Sequence, residues 1–528
     1  MGLLSALESS LPRSSGTRAL GLQTLLDRDL RGFAAPSLFL VFVLFSLYWV
    51  IPLLHNLFVS PSRNVPGPFW ARVTRWYEYF AVLQGDSNQL YRRLHDKYGP
   101  VVRIGPYRYS FTRPEDVKVI YELGGKYLKS AYYNPLNPPI REQQNIFAIR
   151  DNDWHKEKRR KVAALYSMTS VVSYEEPVDK MTSVCLRKMR EFADAGQLVS
   201  IPNFMQYYAF DVIGMITFDQ SFGMMEHGGD TTGMIEGIRG VNDYLGHMGV
   251  TYNLHPWNAW LRSLLRLPIK GGVLAQYCFT QIAKHRAQPS ATTLTKKTNY
   301  ETFLAKLLRM EAEKKVAATN MIDTCGSNIG AGSDTTAISL SAALFYLYAN
   351  PEKISKLRHE IETGSAEGRI SNPVTFQEAQ NMPFLQAVIK ETLRLHPAVG
   401  TILARDVPRG GAQLGGYYFP EGAEVGCNAW VLHYNKDIYG PDAEVYRPER
   451  WLEADKSSLK DSMMFAFGAG SRTCIGKNIS LLEMTKLLPQ IVRDFDIELE
   501  GHSPYLNTTC AWFVYPRYKA RVTLRNSK

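Results

Sequence analysis

The hydrophobic pattern of the chain starts with one unbroken block. From Ser37 to Leu54, SLFLVFVLFSLYWVIPLL carries no charged residue over the ~18 positions needed to cross a bilayer. Tyr48 and Trp49 suit a membrane interface, and the block is too long and too far from Met1 for a cleaved signal peptide. A buried core helix is the competing reading, because Pro52 interrupts the end of the run. Arginines stand on both sides of the block (Arg18, Arg28 and Arg31 before it, Arg63, Arg72 and Arg75 after it), so charge bias does not set its orientation. The expected layout is a tail over 1–36, a transmembrane anchor over 37–54 and a hinge over 55–68. Around that hinge PSRNVPGPFW (Pro61 to Trp70) holds three prolines and a glycine that stop helix continuation.

Beyond the hinge the periodicity changes. Residues 69–528 show no second linker, low-complexity tract or repeat, so one large domain is expected. VVRIG and YRYSF predict a hairpin, followed by a helix over Pro114 to Leu123. Helical spacing then dominates from about Asp153 to His396, with elements over Glu175 to Phe192, Glu301 to Lys314 and Ala317 to Tyr348. Short strands return in GGYYFPEGAEVGCNAWVLH and at ARVTL. The fold class is mostly α with minor β.

Composition narrows the function only by exclusion. Hydrophobic residues at 45% and charged residues at 21% are near the averages for folded chains, which argues against disorder and fibrous repeats. A net charge of +11 raises nucleic acid as a partner, but no zinc-finger spacing, RNP-like aromatic run or basic tail accompanies it, so none is expected. An acidic protein partner or a membrane surface suits the charge better. The six cysteines are scattered without a CxxC, which argues against a zinc site or a disulfide framework and for a reducing compartment. The sequons at Asn478 and Asn507 point the other way, but each is a three-residue match and is read as unused.

Cys474 stands apart from the other five. FAFGAGSRTCIGKN (Phe465 to Asn478) places it behind Phe467, Gly468, Gly470 and Arg472, with Gly476 just after. A lone cysteine is ordinarily a buried small hydrophobe. Six fixed residue types in ten positions, however, arise by chance in roughly one chain in a hundred thousand. An iron thiolate needs a dry loop whose N–H groups point at sulfur, and glycines let a chain turn that tightly. Cys474 is therefore the expected axial ligand.

With those residues the chain resembles the cytochrome P450 family, whose haem loop reads F-G-x-G-x-R-x-C-x-G, over essentially everything after the hinge. The resemblance implies haem b, with Phe467 shielding the thiolate, Arg472 pairing a propionate and Gly476 letting the next helix pass close to the porphyrin. It also implies that Thr335 and Asp334, in AGSDTT (Ala331 to Thr336), relay protons from a locally opened turn of the long helix. Glu391 and Arg394 of ETLRLHP lie three apart on one helix face. With Arg450 of YRPERW they would form a buried network beneath the haem. In DWHKEKRRK the family's W-x-x-x-R spacing falls on Trp154 and Lys158, with Arg159 next to it, and which of the two cations holds a propionate is left open. Lys156, Arg160 and Lys161 would suit an acidic electron donor.

The resemblance further implies a monooxygenase that inserts one oxygen atom from O2 into an apolar small molecule. Electrons would come from NADPH through a partner reductase, with cytochrome b5 as a second candidate donor, and the enzyme would sit on the cytosolic side of the endoplasmic reticulum membrane as a single-pass protein. Pocket lining is expected from Tyr132 to Ile146, Ile329 to Thr335 and Ala398 to Ile402. YGPVVRIGPYRYSF, RRKVAALYSM and ETLRLHPAVG are similar to filamentous-fungal P450s of the pisatin-demethylase-like group, which suggests a tailoring step in secondary metabolism, with detoxification of an external compound as the alternative. A third reading is a P450-fold isomerase, dehydratase or non-catalytic haem binder, against which Asp334 and Thr335 weigh.

Overall fold

The structure is a computed structural model. It describes residues 39–525, except positions 41, 48–49, 52, 139 and 318 and the segments 268–271, 288–299, 454–456 and 502–504. The chain divides into two compact units, up to Arg63 and from Asn64 to Lys528. In the first, the described positions of 39–54 are helical and Phe39, Phe42 and Phe45 are exposed. The expected tail and positions 37–38, 41, 48–49 and 52 of the expected anchor lie outside the described residues. No helix among the described residues is long and apolar enough to cross a membrane.

The second unit is built around the helix Thr319–Tyr348. From Ile338 to Phe345 every residue of it is buried, and an element apolar on all sides needs neighbours on all sides. Ile201–Phe218 packs along one flank and Lys477–Asp494, the helix that follows the cysteine loop, along another. Gly332 permits the first contact, because a Cβ there would meet Ile213 Cδ1 at 3.2 Å. Side-chain caps fix the starts of other helices: Asp151 accepts from Trp154 N at 2.9 Å to open Asn152–Val162, and Thr302 accepts from Ala305 N at 3.1 Å to open Phe303–Ala312.

The strands are short and lie to one side. β1 (Val101–Gly105) and β2 (Arg108–Phe111) form the expected hairpin. β3 (Leu128–Lys129), β4 (Leu198–Val199), β5 (Arg405–Asp406), β6 (Ala412–Leu414), β7 (Tyr417–Phe419) and β8 (Glu424–Gly426) follow. β9 (Phe495–Leu499), β10 (Thr508–Cys510), β11 (Val514–Pro516) and β12 (Ala520–Leu524) complete the set. One sheet runs β1-β2-β8-β5-β3, with β2 and β8 parallel and the other pairs antiparallel. A second runs β4-β12-β9, and β6–β7 and β10–β11 are separate hairpins. Within the stretch expected to be strand, Ala429–Leu432 is instead a helical turn capped by Asn428, whose side chain accepts from Trp430 N.

Candidate haem site

The cysteine loop is closed by its own backbone. Cys474 N donates to Phe467 O at 2.9 Å, Gly468 N to Phe465 O at 2.9 Å and Thr473 N to Gly470 O at 3.1 Å. Gly470 has to be glycine: its φ is +67° and a Cβ would fall 1.9 Å from Tyr121 O. Gly476 differs, because its φ is −83° and a Cβ there would meet no protein atom within 4 Å. Neither backbone strain nor packing explains that glycine, whereas a flat ligand beside it would. Burial pushes the Cys474 thiol up, against the pull of the Gly476 and Lys477 N–H groups and the Arg159 and Lys477 charges. N–H groups aimed at sulfur are the donor set that an iron-bound thiolate requires.

Two contacts hold this loop against the rest of the domain. Thr336 Oγ1 donates to Ser480 Oγ at 3.1 Å, joining the long helix to the one that follows Cys474. The neighbouring Thr335 is half-buried and Ala331, one turn earlier, is exposed, although both lie in the middle of the domain's central helix. That face of the helix is therefore open to a ligand. The expected opened turn is absent: the helix runs unbroken through 331–336, and Thr335 Oγ1 donates to Ala331 O at 2.9 Å.

Asp334 points elsewhere, since successive residues on a helix diverge by about 100°. It is 1% exposed and accepts from Gln206 Nε2 at 2.6 Å, Tyr515 Oη at 2.8 Å and Asn242 Nδ2 at 3.3 Å. Burial raises its carboxyl, with these three donors and the Arg239 charge opposing. Tyr515 also lines a polar cavity of about 720 Å³ with Arg239, Asp243 and His247. Sequence reasoning did not find Gln206, Asn242 or Tyr515, which come from three separate segments.

The expected network beneath the loop is present and fully buried. Glu391 Oε1 accepts from Arg394 Nη2 at 2.8 Å, Arg450 Nε at 2.9 Å and Arg447 N at 3.0 Å. Its Oε2 accepts from Arg394 Nε and Trp451 Nε1, both at 2.9 Å. The remaining guanidinium donors cap loop carbonyls, Arg394 on His433 O and Ala443 O and Arg450 on Tyr439 O and Asp442 O. His433 carries the network to the cysteine loop, since its Nδ1 bonds Arg394 O at 2.8 Å and its Nε2 accepts from Phe465 N at 2.8 Å.

Cations gather on the other side of the loop. His155 and Arg159 stand four apart on one face of Asn152–Val162. Burial and the charges of Arg472, Arg159, Lys129 and Arg405 press His155 down to about 3. Burial and Arg405 lower Arg472 to about 9. Lys158, at the family's spacing from Trp154, turns away: its Nζ bonds the carbonyls of Glu142 and Gln144 and lies 3.8 Å from Asp323. Trp154 is half-buried under Arg141 and Lys158 rather than among these cations. Of the two residues left open, Arg159 is the one whose charge reaches Cys474. Arg472 bonds Ile149 O, Arg150 O, Asp151 O and Asn152 Oδ1. None of Lys129, Arg159, Arg405 and Arg472 forms an ion pair with a carboxylate among the described residues, so the donor set fits a ligand bearing carboxylates, as haem does. His155, Lys129 and Arg405 were not singled out from sequence; the i, i+4 spacing of His155 and Arg159 was the signal available.

Comparison with known proteins agrees with this geometry. The cytochrome P450 family model matches residues 66–524. A pisatin demethylase of Fusarium vanettenii is 45% identical over 489 residues, covering 92% of both chains. A cytochrome P450 monooxygenase of Emericella nidulans is 32% identical, covering 88% of this chain and 94% of the relative. Another, from Penicillium aethiopicum, is 33% identical, covering 84% and 89%. A cysteine loop, a buried Glu-Arg-Arg network and a match along nearly the whole second unit lead to one conclusion: the chain belongs to the cytochrome P450 family.

Proposed function

We propose that this monooxygenase oxidises an apolar, ring-bearing small molecule as a tailoring step in fungal secondary metabolism. The observation that carries the substrate class is an apolar cluster of Tyr132, Leu245, Val250, Ile338, Trp512 and Phe513, with Ala398 and Val399 packed against it. β10–β11 supplies the aromatic end of this cluster, and Val399 bridges to Phe513. Ile402, at the end of the expected lining, belongs instead to the core beneath β1 with Tyr91 and Val102. Demethylation is the second reading, favoured by the relative named pisatin demethylase. Oxidation of a methyl carbon on oxygen gives a hemiacetal that collapses with loss of formaldehyde, so both readings share the same first step.

The residues divide the work as follows. Cys474 would hold haem iron, which when bound activates O2 with electrons supplied by a redox partner. Arg159, Arg472 and their cationic neighbours would hold its carboxylates, and the Glu391–Arg394–Arg450 network fixes the loop through His433. Thr335 Oγ1 would present a hydroxyl at the open face of the long helix. Asp334 would hold a proton one residue away, with Tyr515 Oη connecting its Oδ2 to the polar cavity. The electron donor would be a membrane-bound NADPH reductase, with cytochrome b5 as a second candidate. Residues 37–54 would anchor the chain in the endoplasmic reticulum membrane, supported by their lack of charge.

Accurate-mass profiling of the source organism with and without the gene tests the substrate reading. An accumulating compound that lacks one oxygen, or retains a methyl group, identifies a tailoring step. Matching profiles refute it and leave oxidation of an external compound.

A further inference from the structure

The sheet places two buried cations directly opposite each other. Lys129 of β3 pairs with Arg405 of β5 across an antiparallel ladder, and the two residues are 5% and 4% exposed. Like charges facing each other across strands are destabilising, and burying them without a carboxylate adds a desolvation cost. Each has only partial satisfaction. Lys129 Nζ donates to Phe147 O and sits over the Tyr133 ring at 4.0 Å and the Phe147 ring at 3.6 Å. Arg405 Nη1 reaches the carbonyls of Leu403 and Ala404 at 3.3 and 3.1 Å. Burial, with Arg405 and Arg472 adding to it, drives Lys129 well below the usual lysine range. Beside them the Tyr133 side chain is fully buried, and its hydroxyl has no hydrogen-bond partner among the described residues. Its charged neighbour Arg405 can only donate, so the phenolic O–H lacks an acceptor.

Two cations, a phenolic O–H and the adjoining Arg472 together make a donor set without an acceptor. We propose that Lys129, Tyr133 and Arg405 form a carboxylate-binding pocket that holds one haem propionate, acting with but separately from Arg472 and Arg159. The proposal rests on the assignment of haem to this chain. It explains why β3 and β5 tolerate opposed cations: the ligand supplies the missing anion, and Lys129 is a ligand-holding residue rather than a packing residue.

The test compares haem with its dimethyl ester, which has the same ring but no carboxylates. Full-length holoprotein, as parent, Lys129→Met, Lys129→Arg and Tyr133→Phe, is mixed with excess apomyoglobin, and haem loss is followed in the Soret band. Losing a charge-assisted hydrogen bond predicts roughly tenfold faster loss from Lys129→Met. Tyr133→Phe should fall between it and the parent, and Lys129→Arg near the parent. Refilled with iron protoporphyrin IX dimethyl ester, Lys129→Met and the parent should lose the ring at equal rates. Equal rates with ordinary haem, or the same acceleration with both porphyrins, would overturn the proposal. If Lys129→Met does not fold, the Tyr133→Phe and Lys129→Arg comparison decides by the same criterion. A parent chain that takes up no haem would overturn the cofactor assignment itself and this pocket with it.

Discussion

Replacing Glu391 with glutamine keeps the side chain's shape but removes the only carboxylate shared by Arg394 and Arg450, both fully buried. Five donors converge on its two oxygens. An amide offers one acceptor oxygen and turns the other position into a donor. In one orientation its NH2 faces Arg394 Nε and Trp451 Nε1; in the other it faces Arg394 Nη2, Arg450 Nε and Arg447 N. Both orientations leave two buried guanidinium groups without a counter-charge, which costs about 3–5 kcal/mol. A domain with ~5–15 kcal/mol in total would lose a large part of its stability. Urea unfolding followed by far-UV circular dichroism reads this directly, with the Soret band recorded in parallel because His433 links the network to Phe465. A loss under about 1 kcal/mol, with the haem signal unchanged, would refute the claim that Glu391 neutralises this pair.

Three further outcomes follow from the same geometry. Burial presses His95 down to about 4, so the folded state keeps it neutral while the unfolded chain protonates near 6.5. Its contribution is therefore complete above 6.5 and lost as pH falls toward 4, and the stability gap between parent and His95→Gln should shift by ~1.4 kcal/mol per pH unit in that window; a constant gap contradicts this. Tyr515→Phe removes a donor from Asp334 and should increase the share of NADPH electrons released as hydrogen peroxide in the reductase-coupled reaction, whereas an unchanged share removes Tyr515 from the relay. Gly476→Ala should leave apoprotein stability within ~0.5 kcal/mol, because its Cβ meets no protein atom, yet lower haem content; equal haem content would contradict the ligand-facing reading.

What the sequence made legible was local. The β1–β2 hairpin, the long helix, the cysteine loop and the three-residue spacing of Glu391 and Arg394 are each written within one short segment. Long-range pairings were not legible. Lys129 meets Arg405 only because two-residue strands, too short to show a period of two, become neighbours in the sheet. Asp334 gains its partners from the helices Ile201–Phe218 and Met234–Val250 and from β11. On Asn152–Val162, Trp154 drew attention to the wrong helix face; the i, i+4 pair His155 and Arg159 carries the face that meets Arg472 and Cys474.

The account stands or falls on Cys474 as the sulfur ligand of haem iron. The deciding measurement is the absorption spectrum of the reduced protein under carbon monoxide, taken for the parent and for Cys474→His. Thiolate ligation predicts a Soret band displaced to long wavelength in the parent and its return to the position of histidine-ligated haem in the variant. A displaced band that survives in Cys474→His, or a parent that lacks one while retaining haem, would contradict the assignment.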